Sequence, residues 1–241
     1  MYTDNMASKK KDGGTKFSHV SDKLSAVATV AFAVAVALFI LTFSIGLPIY
    51  IRPFYYAHID DVKYAEYYGW DHEIMREAYD EMIEYCTTPG AEFGTGELKY
   101  SESGASHFAD CKSLFTLNWV VFTVSGAVII LISALKHLGL IRLRRPFGFD
   151  ATFFSAIGLL VSFTLIGLLA SIDFSTAFTI FHKIFFPGKD NWLFDPRTDQ
   201  IILLLPQSFF MDCAILILAS IIALSAIFIA VGILRRDKKH K

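Results

Sequence analysis

Residues 151–172 read ATFFSAIGLLVSFTLIGLLASI, a run without a single charged side chain. A helix needs about 20 apolar residues to cross a hydrocarbon core of roughly 30 Å. Three further uncharged runs meet that length, at 24–51, 113–135 and 213–234. Lipid offers no partner to an exposed backbone amide, and strands would need polar alternation, so each run reads as a helix. Composition agrees. Charged residues make up 19% and apolar ones 54%, against a globular average of about 25% charged, and the mean hydropathy is +0.47. The expected fold class is an α-helical integral membrane protein with four transmembrane helices.

The net charge of -1 conceals a segregation. Segments 1–23, 136–150 and 235–241 hold 5, 4 and 5 of the 22 Lys and Arg, whereas 52–112 holds 13 Asp and Glu against 5 Lys and Arg. The positive-inside rule then places both termini and the 136–150 loop in the cytoplasm. It places 52–112 and 173–212 outside, giving a multi-pass protein of the cell membrane. Residues 1–23 are Lys/Gly/Ser-rich and read as a disordered cytoplasmic tail, with Lys9, Lys10 and Lys11 near the anionic leaflet. The 28-residue run at 24–51 is too long for a cleavable signal core and reads as an uncleaved anchor. The 136–150 turn, with Arg142, Arg144 and Arg145, is basic for reasons of topology, and 235–241 is a short cytoplasmic tail.

The 52–112 segment reads as a small external cap. Met75, Tyr79, Met82 and Cys86 recur at helical spacing, broadened by Ile74, Ala78 and Ile83. Thr88-Pro89-Gly90 stops that helix. Residues 91–106, AEFGTGELKYSESGAS, alternate in a way that predicts short strands, so the cap is expected to be mixed.

Two stretches concentrate groups capable of chemistry. One is His107-Phe-Ala-Asp110-Cys111-Lys112, just before the second span. The other is Phe181–Phe210, FHKIFFPGKDNWLFDPRTDQIILLLPQSFF, read as a loop between the last two spans. Both fall on the external side by charge counting. Asp110 lies three residues beyond His107, and a carboxylate that orients an imidazole is a familiar general-base arrangement. A structural His–Asp hydrogen bond explains the same spacing. His19, His58, His72, His137 and His240 read as solvated or interfacial side chains. Cys86 and Cys111 are candidates for a disulfide if both are outside, and Cys213 reads as a small packing residue.

Other chemistries find little support. No HExxH or paired Cys/His spacing favours a metal. No Gly-x-Ser-x-Gly or phosphate loop is present, and a thiol at a membrane boundary is weakly activated. Carriers usually bury an ionisable group in a span, and only Asp212, at one end, comes close. No metal, no other cofactor and no nucleic-acid partner is expected.

Three patches resemble the lipoprotein intramolecular transacylases of bacterial membranes. Ala78-Tyr79-Asp80-Glu81-Met82-Ile83-Glu84-Tyr85 looks like the family's Tyr-Asp…Met…Tyr helix. His107-Phe108-Ala109-Asp110-Cys111-Lys112 through Phe115 resembles its His-hydrophobic-x-Asp-Val-Lys…Phe motif, with Cys111 where Val is usual. Phe181-His182-Lys183-Ile184-Phe185-Phe186, with Trp192, Asp195, Asp199, Leu205-Pro206 and Phe209-Phe210, is similar to its third signature. The resemblance implies four spans capped by a small external domain containing strands. It implies transfer of an acyl chain from the glyceryl sn-2 ester of a diacylated lipoprotein to the α-amino group of its N-terminal cysteine.

The family's two essential histidines map onto His107 and His182 as an acid/base pair. Asp110 is then expected to orient His107, and Lys112 to act electrostatically or on headgroups. Phe185, Phe186, Trp192, Phe209 and Phe210 are expected as acyl-chain or interface contacts. The expected partners are the lipoprotein substrate and membrane lipid. A non-catalytic four-span scaffold or receptor, or another lipid acyltransferase or lipase, stays open at this point.

Overall fold

The computed structural model describes residues 5–59, 62 and 65–236, with side chains described from residue 22 onward. The expectations for Lys9–Lys11, His19 and His240 lie outside those side chains. The described chain is helical: α1 (Asn5–Tyr50), α2 (Arg52–Tyr56), α3 (Ala65–Tyr68), α4 (His72–Thr87), α5 (Glu102–His137), α6 (Ala151–Ile172), α7 (Phe174–Phe185), α8 (Ile201–Leu204) and α9 (Gln207–Leu234), with a 3-10 turn at Pro146–Gly148. Four helices are long and apolar enough to cross a membrane: Asp22–Tyr50 of α1, α5, α6 and α9. As described, α1 starts at Asn5, inside the segment expected to be disordered.

The short strands expected in 91–106 are not there; no strand occurs among the described residues. The reason lies in where the backbone groups of that segment find partners. Gly96 N–H donates to the Glu81 carboxylate at 2.7 Å, Lys99 N–H to the Gln200 side chain at 2.8 Å, and Ser101 N–H to Asp199 at 2.9 Å. Side chains, rather than a neighbouring strand, satisfy these amides. Gly96 sits at φ +56° against the α4 backbone, a left-handed turn that suits glycine.

The chain divides into two compact units. One comprises 1–40, 123–160 and 223–241. Within it the Ser155 hydroxyl donates to the Ala33 carbonyl at 2.7 Å, and the Arg144 guanidinium donates to the Asp22 carbonyl at 2.8 Å. A Cβ at Gly232 would come within 2.8 Å of the Phe153 ring, so glycine is what allows that approach.

The other unit comprises 41–122 and 161–222 and holds all the residues discussed below as a site. Its core joins Ile49, Tyr55, Met75, Ala78, Tyr79, Met82, Ile83 and Cys86 to Phe108, Ile201, Leu204, Leu205 and Phe209. Met75, Ala78, Tyr79, Met82, Ile83 and Cys86 of the α4 stripe are buried, as its periodicity requires, and Ile74 is half-buried against the same core. Asp71 caps that helix, accepting from Glu73 N–H and Ile74 N–H, both at 2.9 Å. Tyr55 and Tyr79 stack at 3.6 Å between ring centroids, with Phe209 edge-on to Tyr55.

Candidate active site

His107 is carried by α5, which begins at Glu102, well ahead of the uncharged run at 113. At 36 residues and 1.5 Å per residue, it is about 54 Å long, more than a hydrocarbon core of about 30 Å requires. Its N-terminus is fixed from a distant part of the chain. Ser101 Oγ accepts from Gly104 N–H at 3.0 Å and donates to the buried Asp199 carboxylate at 2.8 Å. Thr198 Oγ1 donates to the same carboxylate at 2.7 Å. A carboxylate here also suits the positive end of the helix dipole. Gly104 leaves room for it: a Cβ there would collide with Asp199 Oδ1.

His182 sits in the last turn of α7, not in a loop as the sequence predicted. Pro187 and Gly188, the latter at a positive φ, follow its last turn and end it. Asp173 starts it, accepting from Thr176 N–H at 3.0 Å. Around the rest of α7, Ile180, Phe181, Ile184 and Phe185 are exposed, Ile180 and Ile184 lying opposite His182.

The two imidazoles are brought together. His107 is 5% exposed and His182 7%, and their ring centroids are 5.9 Å apart with 29° between planes. Phe186 lies edge-on to His107 at 4.9 Å and tilted to His182 at 5.7 Å. Phe194 lies edge-on to His107 at 5.4 Å, and Trp192 stacks on His182 at 4.7 Å. His182 Nδ1 is 2.8 Å from the Phe178 carbonyl. A carbonyl only accepts, so Nδ1–H donates and Nε2 keeps its lone pair. Burial lowers the His182 pKa from its ordinary value, and the Phe178 carbonyl partly opposes this.

Asp110 does not hydrogen-bond His107, contrary to the expected direct contact. Its carboxylate accepts from the Lys189 ammonium, and from Asn191 Nδ2 at 3.0 Å. Three residues on a helix are not a full turn, which turns Asp110 toward the 187–194 segment. Lys112 is also directed elsewhere, donating to the Ala91 carbonyl at 3.4 Å and standing 4.2 Å over the Tyr85 ring. Cys111 does share a face with His107, its Sγ 3.4 Å from Nε2. The Cys86–Cys111 disulfide is not formed, since all three cysteines are free. Cys86 instead turns its thiol toward the Phe108 carbonyl at 3.8 Å, and burial pushes its pKa up to about 12.

The aromatic residues singled out from sequence divide. Phe186 and Trp192 form the walls of the histidine pair, and Phe185 is half exposed against Phe181. Phe210 packs on Phe178 at 5.3 Å, one residue removed from His182. Phe209 belongs to the core, beside Tyr55 and His58. Sequence reasoning missed Phe178, Lys189, Asn191 and Phe194. Of these, only Phe178 carried a signal, lying four residues before His182 as a helical neighbour does.

Residues 30–210 match the family model for the lipoprotein intramolecular transacylase Lit. Among solved structures the chain is similar to the membrane integral lipoprotein intramolecular transacylase Lit from Bacillus cereus. The identity is 23%, with a TM-score of 0.75 over 87% of this chain and 94% of that one. Two forms of the same enzyme with a single histidine substitution align at 21% and 22% identity, with TM-scores of 0.74 and 0.71, each over 92% of this chain and 96% of the other. No curated protein matches the sequence. The family match covers three quarters of the length of the chain, which thus belongs to the lipoprotein intramolecular transacylase Lit family and is an acyltransferase of the membrane.

Proposed function

We propose that this enzyme moves an acyl chain from the glyceryl sn-2 oxygen of a diacylated lipoprotein to the α-amino group of that lipoprotein's N-terminal cysteine. The product is an N-acylated lyso-form. The observation that carries the reading is the buried pair His107 and His182, 5.9 Å between centroids and walled by aromatic rings.

The substrate amine has a pKa near 7.7–8.0 and must lose a proton before it attacks an ester. Solvent takes that proton; the free amine nitrogen then bonds to the sn-2 carbonyl carbon, and a neutral imidazole accepts the second proton, which the nitrogen sheds in the resulting intermediate. The tetrahedral intermediate collapses by breaking the carbonyl carbon–oxygen bond to glycerol, and the leaving oxygen takes a proton from imidazolium. Counted from the ammonium, one proton is released to solvent; counted from the free amine, none is gained or lost. Two imidazolium rings this close would repel, so the pair holds at most one proton at a time and serves as a single carrier between amine and alcohol. Acid–base help of this kind contributes roughly 10²–10⁴-fold.

Donor and acceptor belong to one substrate, so the protein's remaining tasks are to fold the two ends together and to keep water out. Trp192, Phe186 and Phe194 serve the second task. The exposed apolar side chains of α7, including Phe185, meet membrane lipid or the substrate's acyl chains. The active face is external, as the charge segregation favours.

The test is mass spectrometry of the N-terminal peptide of a model lipoprotein, co-expressed in cells lacking another N-acylating enzyme. With the wild type, one acyl chain should move from glyceryl oxygen to nitrogen. His107→Ala or His182→Ala should abolish the move while still inserting into the membrane. An unchanged diacylated peptide with well-inserted wild type would remove the reaction.

A further inference from the structure

Two buried polar atoms beside the histidine pair stand without a hydrogen-bond partner, His107 Nδ1 and Asn191 Oδ1. Orphaned polar atoms in a protein interior are uncommon and costly. Asn191 contacts Ser106 and Asp110, which flank His107 along α5, so the two orphaned atoms share one neighbourhood and each can satisfy the other.

Asp110 settles which way the amide points. Asn191 Nδ2 is 3.0 Å from Asp110 Oδ2 and 3.4 Å from Ser106 Oγ. Turning the amide over would set its oxygen against a carboxylate oxygen, which is repulsive. The NH2 group is therefore held on Asp110, and Oδ1 is left as an acceptor on the other side. Lys189 holds the carboxylate in turn. At the far edge of the imidazole, the Cys111 thiol lies 3.4 Å from Nε2. A thiol is a weak donor and a poorer acceptor, so this contact too is best met by an Nε2 lone pair.

We propose that Asn191 is a positioning residue for His107, its Oδ1 accepting from Nδ1–H and fixing the tautomer in which Nε2 carries the lone pair. Lys189, Asp110, Asn191 and His107 then form one chain of hydrogen bonds. Asp110 acts on His107 through the amide, so the carboxylate expected beside the histidine is present but one residue removed. The backbone carbonyl of Phe178 does for His182 what Asn191 does for His107, and both rings carry their lone pair on the same nitrogen. The catalytic consequence rests on the transacylase reading above; the tautomer does not.

The test has a spectroscopic and a kinetic arm. In protein labelled with 15N-histidine in lipid, the His107 resonances are identified by their loss in His107→Gln. Above pH 7 they should show a protonated Nδ1 and a bare Nε2. In Asn191→Leu the ring should revert toward the Nε2–H form that free imidazole prefers. On a diacylated lipopeptide, Asn191→Leu should lose roughly 10–100-fold in kcat, the usual range for partners that orient a functional histidine, with little change in KM. Asp110→Asn should add almost nothing to that loss in the double variant, since the two residues act as a unit. An Nε2–H tautomer in the wild type overturns the proposal, even if Asn191→Leu does not fold. So does an unchanged tautomer or an unchanged kcat in that variant, or losses that simply add. A wild type with the Nδ1–H tautomer and no transacylation would instead remove the function proposed above and leave this arrangement standing.

Discussion

At His182 a backbone carbonyl, not an acid, chooses the tautomer. That choice is compatible with a ring kept neutral, because burial already disfavours the charged form. The sign of the pH dependence follows. A lowered pKa means that His182 stays unprotonated, and able to accept a proton, at its ordinary midpoint and somewhat below it. Any loss of kcat/KM on acidification that starts near pH 8 therefore belongs to the α-ammonium of the substrate. Two lipopeptides whose α-amines differ in pKa should show that limb at two different pH values. A limb fixed at one pH for both would assign it to the enzyme. Gly104 supplies a steric prediction: Gly104→Ala drives a methyl into the Asp199 carboxylate and should cost roughly 1–3 kcal/mol, read as a drop in thermal unfolding temperature. An unshifted transition would mean that Asp199 moves freely aside.

Among the elements, the N-terminus of α5 and the whole of α7 decide whether the site exists. Both escaped sequence reading for physical reasons. Ser101 begins α5 with the help of Asp199, so the cue for the helix start lies 98 residues downstream. The stretch before it looked like strand because its local alternation was all that could be weighed. The α7 helix was hidden by its short length and by the Pro187-Gly188 pair that ends it. By contrast α4 was legible, because its burial depends only on its own periodicity. Asp199→Ala should strip Ser101 and Thr198 of their buried acceptor, at about 1–3 kcal/mol, and lower activity through a frayed α5. Asp195→Ala removes a solvent-facing pair with Arg197 and should leave unfolding where it is. Equal effects from the two would deny Asp199 its part in holding the helix.

For the molecule as a whole, the four membrane-capable helices were legible because lipid imposes a length and a charge rule that one sequence reveals. The site was half legible. His107 and His182 stood out by their crowded surroundings and by the family resemblance, whereas Asn191 and Lys189 belong to no motif and gain meaning only where the loop folds back on α5. Orientation is the next thing to measure. Tyr67, an exposed residue of α3, and Leu138, exposed beyond α5, fall on opposite sides in the topology argued here. In a background without native cysteines, Tyr67→Cys should react with a membrane-impermeant maleimide in intact cells. Leu138→Cys should react only after permeabilisation. The reverse pattern would invert the protein.

The bond from Ser101 to Asp199 also bears on biosynthesis. When the ribosome has made both histidines, the acceptor that secures the start of α5 has yet to be translated. A nascent chain halted there carries both histidines without the bond that secures the start of α5. Asp199 lies between α7 and α9, so the start of α5 is secured only once that segment has been made. Closure across so much sequence is slow compared with helix formation, which makes the securing of α5 a late event in the maturation of the protein.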